Sequence, residues 1–168
     1  MAHTGSPRVE AASRSCSLSA GLAVLGDKWA LLLLREALAG ATKFSDFRDA
    51  LGIAPDVLTS RLTRLVDAGL MTRESYREPG QRARDRYRLT DAGSDSLVAL
   101  IALKQWADVN VQHGDDPYVE FRSDEGRPVT VRFTDDRGRT LRPDQVHAEH
   151  TPTRRAAADA GADVQSPS

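Results

Sequence analysis

The sequence predicts a mainly α chain with a small β-hairpin, an α+β fold, followed by a second β-hairpin as an appendage. Three observations predict it. Apolar residues recur at helical spacing through four stretches between Leu18 and Val66. Two strand-like stretches then flank Pro79-Gly80. A long apolar helical pattern follows from Thr90. With 168 residues the chain has about one domain's worth of sequence. Its 40% hydrophobic and 28% charged residues suit a soluble globular core.

Each element has its own justification. Residues 1–15 are small and polar, with Gly5, Pro7 and several serines, and are expected to be a disordered N-terminal segment. Leu18, Leu22 and Leu25 predict a short helix over about 17–25. Gly26-Asp27 interrupts the pattern, and Asp27 is placed to cap a second helix over about 27–39, stopped by Gly40. Phe44, Phe47, Ala50 and Leu51 share one face of a third helix, about 44–51, that Gly52 ends. Pro55 suits the first turn of a fourth helix, where a missing N–H is harmless. That helix runs to about Ala68, with Leu58, Leu62, Leu65 and Val66 as its buried stripe, before Gly69. Leu70–Tyr76 and Arg84–Leu89 read as strands joined by the loop 77–83. Thr90 or Asp91 caps one last helix over about 92–112, roughly 30 Å long at about 1.5 Å per residue. Its apolar residues Leu97, Val98, Leu100, Ile101, Leu103, Trp106 and Val109 cover more than one face. Over 114–141, Tyr118–Arg122 and Val129–Phe133 alternate around Asp124-Glu125-Gly126, which predicts the appendage. From Arg142, Pro, Ala, Asp and Ser dominate, and residues 142–168 are expected to be a disordered tail.

Charge and cysteine usage bound the function. The net charge of −1 argues, as a single number, against a strongly basic nucleic-acid binder. It hides a segregation: residues 1–114 hold 15 basic and 13 acidic side chains, whereas residues 115–168 hold 8 and 11. No stretch approaches the ~18 apolar residues of a membrane-spanning helix. The first residues lack the apolar core of a signal peptide, so a cytoplasmic protein with no membrane partner is expected. The one cysteine, Cys16, excludes an internal disulfide and a four-thiolate zinc site within one chain. His147 and His150, with Glu149 between them, lie in a Pro/Ala-rich tail and read as solvated. Asp135-Asp136 beside Arg137 and Arg139 reads as a charged turn. No metal site, cofactor or catalytic residue is expected, and no enzyme.

Two helices meeting across a tight turn, then a hairpin with an arginine-rich tip, then a long closing helix, form a winged helix-turn-helix spanning residues 16–113. Its second helix can enter the major groove of duplex DNA. The buried stripe of that helix leaves Asp56, Thr59, Ser60, Thr63 and Arg64 outward, with Arg61 at the border. Hydroxyls and guanidiniums of this kind contact base edges and phosphates. Residues 73–88 carry Arg73, Arg77, Arg82, Arg84, Arg86 and Arg88 against Glu74, Glu78 and Asp85. Arg82, Arg84, Arg86 and Arg88 alternate and are expected on one side of a strand, a ladder suited to tracking phosphates. The competing reading is a solvated ribbon whose arginines pair with Glu74 and Glu78.

Several motifs in order resemble the HxlR family of winged-helix transcriptional regulators. They are Cys16, Gly26-Asp27-Lys28-Trp29, Leu34-Arg35-Glu36, Lys43-Phe44-Ser45-Asp46-Phe47, Leu58-Thr59-Ser60-Arg61-Leu62, Asp67-Ala68-Gly69-Leu70, Tyr87-Arg88-Leu89-Thr90 and Ala92-Gly93. The resemblance runs over about 16–110 and ends near Trp106. It implies a bacterial, homodimeric regulator whose terminal helices pair the subunits. The candidate DNA contacts are Lys43, Thr59, Ser60, Arg61, Arg64, Arg77, Arg82, Arg84 and Arg86. The chain departs from the family at Ser17, where proline usually follows the cysteine. Its wing is longer and more basic over Pro79–Tyr87, and its C-terminal extension has no cysteine.

The expected partners are a near-palindromic double-stranded DNA operator, a second copy of the chain and an unidentified small-molecule effector. Cys16 matches the position that some family members use as a redox sensor, a role that needs an exposed, ionisable thiol. The alternative for Cys16 is an inert thiol under the dimer helices. Trp29 and Trp106 lie on apolar stripes and read as core or dimer packing ahead of an effector pocket. Two rival functions stay open: a winged helix serving only as a protein–protein module, and an enzyme whose site is assembled from distant residues.

Overall fold

A computed structural model of the chain describes residues 16–77, 80, 82–111 and 119–149. The expected N-terminal segment 1–15, residues 78, 79 and 81 of the wing loop, residues 112–118 and the tail beyond 149 lie outside the described residues. The chain divides after Val131 into two units.

The first unit follows the winged helix-turn-helix order. Helices α1 (Ser17–Leu25), α2 (Lys28–Leu38), α3 (Phe44–Leu51) and α4 (Pro55–Asp67) precede an antiparallel hairpin of β1 (Met71–Tyr76) and β2 (Arg84–Leu89). The hairpin register pairs Met71 with Leu89, Glu74 with Arg86 and Tyr76 with Arg84. The core is a leucine cluster: Leu33 and Leu34 from α2 and Leu58 and Leu62 from α4 are fully buried, together with Phe47 of α3. Full burial of each such side chain stabilises by about 1.5–3 kcal/mol. Phe47 meets Tyr87 of the hairpin edge to face, at a centroid distance of 6.4 Å. Burial pushes the Tyr87 hydroxyl's pKa up, reinforced by Asp85 and opposed by the Arg73 charge.

Helices α1 and α2 are bent by 76° where Gly26 meets Asp27. A Cβ on Gly26 would stand 2.4 Å from the Leu22 carbonyl oxygen, so only glycine fits there. Asp27 caps α2, its Oδ1 accepting the Trp29 N–H at 2.9 Å.

The single closing helix expected over 92–112 is two helices, α5 (Asp91–Asp95) and α6 (Leu97–Asn110). The break at Ser96 has a tertiary cause. At Gly93 the helix presses on the end of α4's loop so closely that a Cβ would lie 2.0 Å from the Leu70 carbonyl oxygen. Thr90 fixes the approach: its hydroxyl donates to the Gly69 carbonyl at 2.7 Å and accepts the Gly93 N–H at 3.1 Å. Ser96 then donates its hydroxyl to the Gly93 carbonyl at 2.6 Å and turns the chain into α6.

Residues 119–131 stay with the helices. Phe121 packs against the leucine core, and Gln105 of α6 clamps the Val131 backbone, accepting its N–H at 2.5 Å and donating to its carbonyl at 3.2 Å. Around the turn at 123–126, Arg122 and Pro128 form one isolated bridge. In the second unit Phe133–Thr134 (β3) pair with Thr140–Leu141 (β4), so Phe133 joins this ribbon and not the expected hairpin with Tyr118–Arg122. Asp135 builds the intervening turn by accepting the N–H groups of Arg137 and Arg139. A 3-10 turn, Pro143–Gln145, follows where a disordered tail was expected to begin.

Candidate nucleic-acid interface

Helix α4 presents two kinds of side chain by its own periodicity. Leu58, Leu62 and Leu65 are buried, and Asp56, Thr59, Ser60, Thr63 and Arg64 are exposed. Pro55 starts the helix with no N–H to leave unpaired. The Thr59 hydroxyl donates to the Pro55 carbonyl at 2.8 Å, which leaves its oxygen lone pairs outward as acceptors. Ser60 is exposed beside it. Arg61 lies differently. Its Nε stands 2.7 Å from Asp27 Oδ2, off the N–H direction, so the contact is an ion pair without a well-formed hydrogen bond.

The wing is a two-faced ribbon. Met71 and Tyr87 are buried on one face. Arg84, Arg86 and Arg88 share the other with Tyr76 and Glu74. Arg82 lies before the strand begins, so the ladder has three rungs and not the expected four. Glu74 takes part of its charge: Arg86 Nε stands 3.0 Å and Arg88 Nε 3.5 Å from Oε2. On the core-facing side Arg73 Nε donates to Asp85 at 2.8 Å, and that hydrogen bond, with the Asp85 charge, raises the guanidinium's pKa further. Among the described residues Arg82 and Arg84 have no acidic partner. Arg77 is exposed at the end of β1.

Sequence reasoning missed a third strand-like contact. Thr42 and Lys43 run beside β2, with the Tyr87 N–H donating to the Thr42 carbonyl at 2.7 Å and Lys43 bridging to Arg86. Two residues are too few to show a periodicity. The contact ties the start of α3 to the wing. Lys43 Nζ sits 5.6 Å from the Tyr76 ring centre, and the Arg86 guanidinium 5.8 Å from it. Lys43, Arg48, Ser45, Tyr76, Arg84 and Tyr87 line a cleft of about 480 Å³ between α3 and the wing. The structure therefore brings Lys43, Arg84 and Arg86 together, and it holds Thr59, Ser60, Arg61 and Arg64 on α4.

Asp46 secures the junction. Burial raises its pKa, yet the N–H groups of Lys43 (2.8 Å) and Thr42 (3.1 Å) and the Lys43 charge outweigh it and hold the carboxyl below its ordinary value. Cys16 is exposed at the residue that precedes α1.

Comparison with known proteins agrees with this geometry. The family model for HxlR-like helix-turn-helix proteins matches residues 24–115, more than half of the chain. An uncharacterized HTH-type transcriptional regulator of Mycobacterium tuberculosis, Rv3095, is 38% identical over 106 residues, which is 63% of this chain and 66% of that protein. The match thus spans just under two thirds of the relative's length. The crystal structure of PA1607, a candidate transcription factor, is similar with a TM-score of 0.70 at 30% identity, over 82% of this chain and 96% of that one. The redox regulator HypR in its reduced form is similar with a TM-score of 0.52 at 27% identity, over 56% of this chain and 93% of HypR.

Proposed function

The chain belongs to the HxlR-like helix-turn-helix family, and on that premise we propose that it is a sequence-specific, DNA-binding transcriptional regulator. It binds a near-palindromic operator as a homodimer. The observation that carries this reading is the exposed face of α4, with Thr59, Ser60, Thr63 and Arg64, combined with a wing whose Arg82 and Arg84 have no acidic partner among the described residues. Helix α4 enters the major groove, where the residues of its first half meet base edges. Lys43, Arg77, Arg82, Arg84 and Arg86 follow the phosphates. Arg86 shares Glu74 with Arg88, so Arg84 carries more of the phosphate contact than its neighbour.

Selection of bound duplexes from a random pool, followed by titration at several salt concentrations, tests the reading. Arg84→Ala is expected to weaken binding to the selected and to random duplex alike, and to flatten the slope of log K against log salt by about 0.9. Ser60→Ala, in the first half of α4, is expected to weaken the selected duplex more than the random one. Wild-type protein that shows no salt-sensitive duplex binding would move the reading to a protein–protein module.

The second copy pairs through α1 and α6, which leave Leu18, Leu22, Val98, Leu103, Trp106 and Val109 exposed. A twofold dimer sets the two half-sites about 34–36 Å apart. Cys16 supports a redox response, since it is exposed and HypR, a similar fold, is a redox regulator. With one cysteine per chain, oxidation joins two subunits or adds a small thiol. Mild diamide treatment is expected to modify Cys16 and change duplex affinity; modification with no change in affinity would sink the redox role.

A further inference from the structure

The residue that caps α2 also holds the arginines of α4. Asp27 uses Oδ1 for the Trp29 N–H, and its Oδ2 faces Arg61 Nε at 2.7 Å and Arg64 Nη1 at 3.9 Å. Arg61 and Arg64 are three residues apart and therefore neighbours on one side of α4. Their situations differ. The Arg61 side chain is 31% exposed with its Nε buried, whereas Arg64 is 55% exposed and reaches Asp27 only at the limit of an ion pair. One carboxylate oxygen is thus shared by an arginine seated in the scaffold and an arginine free to reach outward.

We propose that Asp27 is a positioning residue for nucleic-acid binding, an internal competitor that occupies the place of a phosphate beside Arg64 while it holds Arg61 to the scaffold. The proposal rests on the DNA-binding reading above and adds a regulatory element to it. A carboxylate in ion-pair reach of a guanidinium offers the same chemistry as a phosphate oxygen, so binding DNA through Arg64 means giving up Asp27. The site lies where α1 bends by 76° into α2. Arg61, predicted from sequence as a DNA contact, is on this account a brace between α2 and α4.

The test is Asp27→Asn in the full chain. Asparagine caps a helix as well as aspartate does, so α2 keeps its start while the charge is lost. Asp27→Ser is the second variant, keeping a capping hydroxyl if the amide disturbs folding. Both are expected to bind duplex more tightly than wild type by about two- to fivefold, the scale of an exposed ion pair. The salt slope is expected to steepen by about 0.9 as Arg64 takes up a phosphate. Arg64→Ala is expected to abolish the gain. Unchanged or weaker binding by both variants, with an unchanged slope, overturns the proposal and leaves the DNA-binding reading intact. So does a gain that persists in the Arg64→Ala background. If wild type itself shows no salt-sensitive duplex binding, the functional reading falls first and this proposal with it.

Discussion

Asp46 shows how a single residue near the interface sets a condition for the fold. Its carboxylate accepts two backbone N–H groups at the point where Thr42 and Lys43 lie beside the wing. The folded pKa is below the ordinary value, so the unfolded chain takes up a proton first as pH falls. The stabilisation is therefore fully present above the unfolded value, near pH ~3.9, and is lost as pH falls through the folded one. Asp46→Asn is expected to cost about 0.5–1.5 kcal/mol at pH 6, measured by urea unfolding. As pH falls through the unfolded value and on through the lower folded one, the gap to wild type should close, because the wild type loses what the variant never had. A gap that stays constant across that window would show that the Asp46 charge does not matter to the fold. The same scale explains why the site was only partly legible in the sequence. Thr59, Ser60 and Arg64 follow from the leucine stripe of α4, since burying one face dictates the other. That Arg61 would be drawn to Asp27 did not follow, because the two are far apart in sequence and meet only when α2 and α4 pack.

At the scale of elements, what could be read from sequence was what burial periodicity writes locally. Helices α1 and α3 and strand β2 have the bounds their apolar spacing and glycine stops predict, and α4 ends within a residue of its expected stop. The failures are tertiary. The expected helix runs from 92 to 112 straight through Ser96, although residues 91–95, Asp-Ala-Gly-Ser-Asp, carry no apolar stripe of their own. The break is imposed by Gly93 lying against the Leu70 carbonyl. In the wing, alternation placed Arg84, Arg86 and Arg88 on one face but could not say that Glu74 would stand between two of them. The ribbon is thus less positive toward DNA than a count of arginines suggests, and the two readings weighed for it each describe part of it. Arg86 and Arg88 are braced across the hairpin, and Arg82 and Arg84 remain for an outside anion.

At the scale of the molecule, the exposed apolar residues form a pattern that one subunit does not explain. Val98, Ala102, Trp106 and Val109 fall on one face of α6 at spacings of four, four and three. Val98 is 61% exposed, Trp106 58% and Val109 83%, while Leu22 of α1 is 59% exposed. Between α1 and α6 runs a groove of about 480 Å³ lined by Val24, Leu25, Leu70, Val98, Ala99 and Ala102. A monomer that leaves such a face in water gives up hydrophobic stabilisation that a second copy would recover, and a stable dimer needs about 1,000 Å² or more of buried surface. Charge placed on both helices tests whether that face pairs the subunits. The double variant Leu22→Glu with Val98→Glu leaves the buried core untouched, so it should fold and sediment as a monomer where the wild type is expected to sediment as a dimer. Linking two half-site readers raises affinity for a paired site by about 10²-fold or more over either alone. The variant should therefore lose that factor on a duplex with two half-sites, and much less on a duplex with one. Equal losses on both duplexes would mean that the substitutions damaged the reader itself. A wild type that sediments as a monomer at the concentrations where it binds would remove the twofold operator, and with it the reason to expect a palindrome.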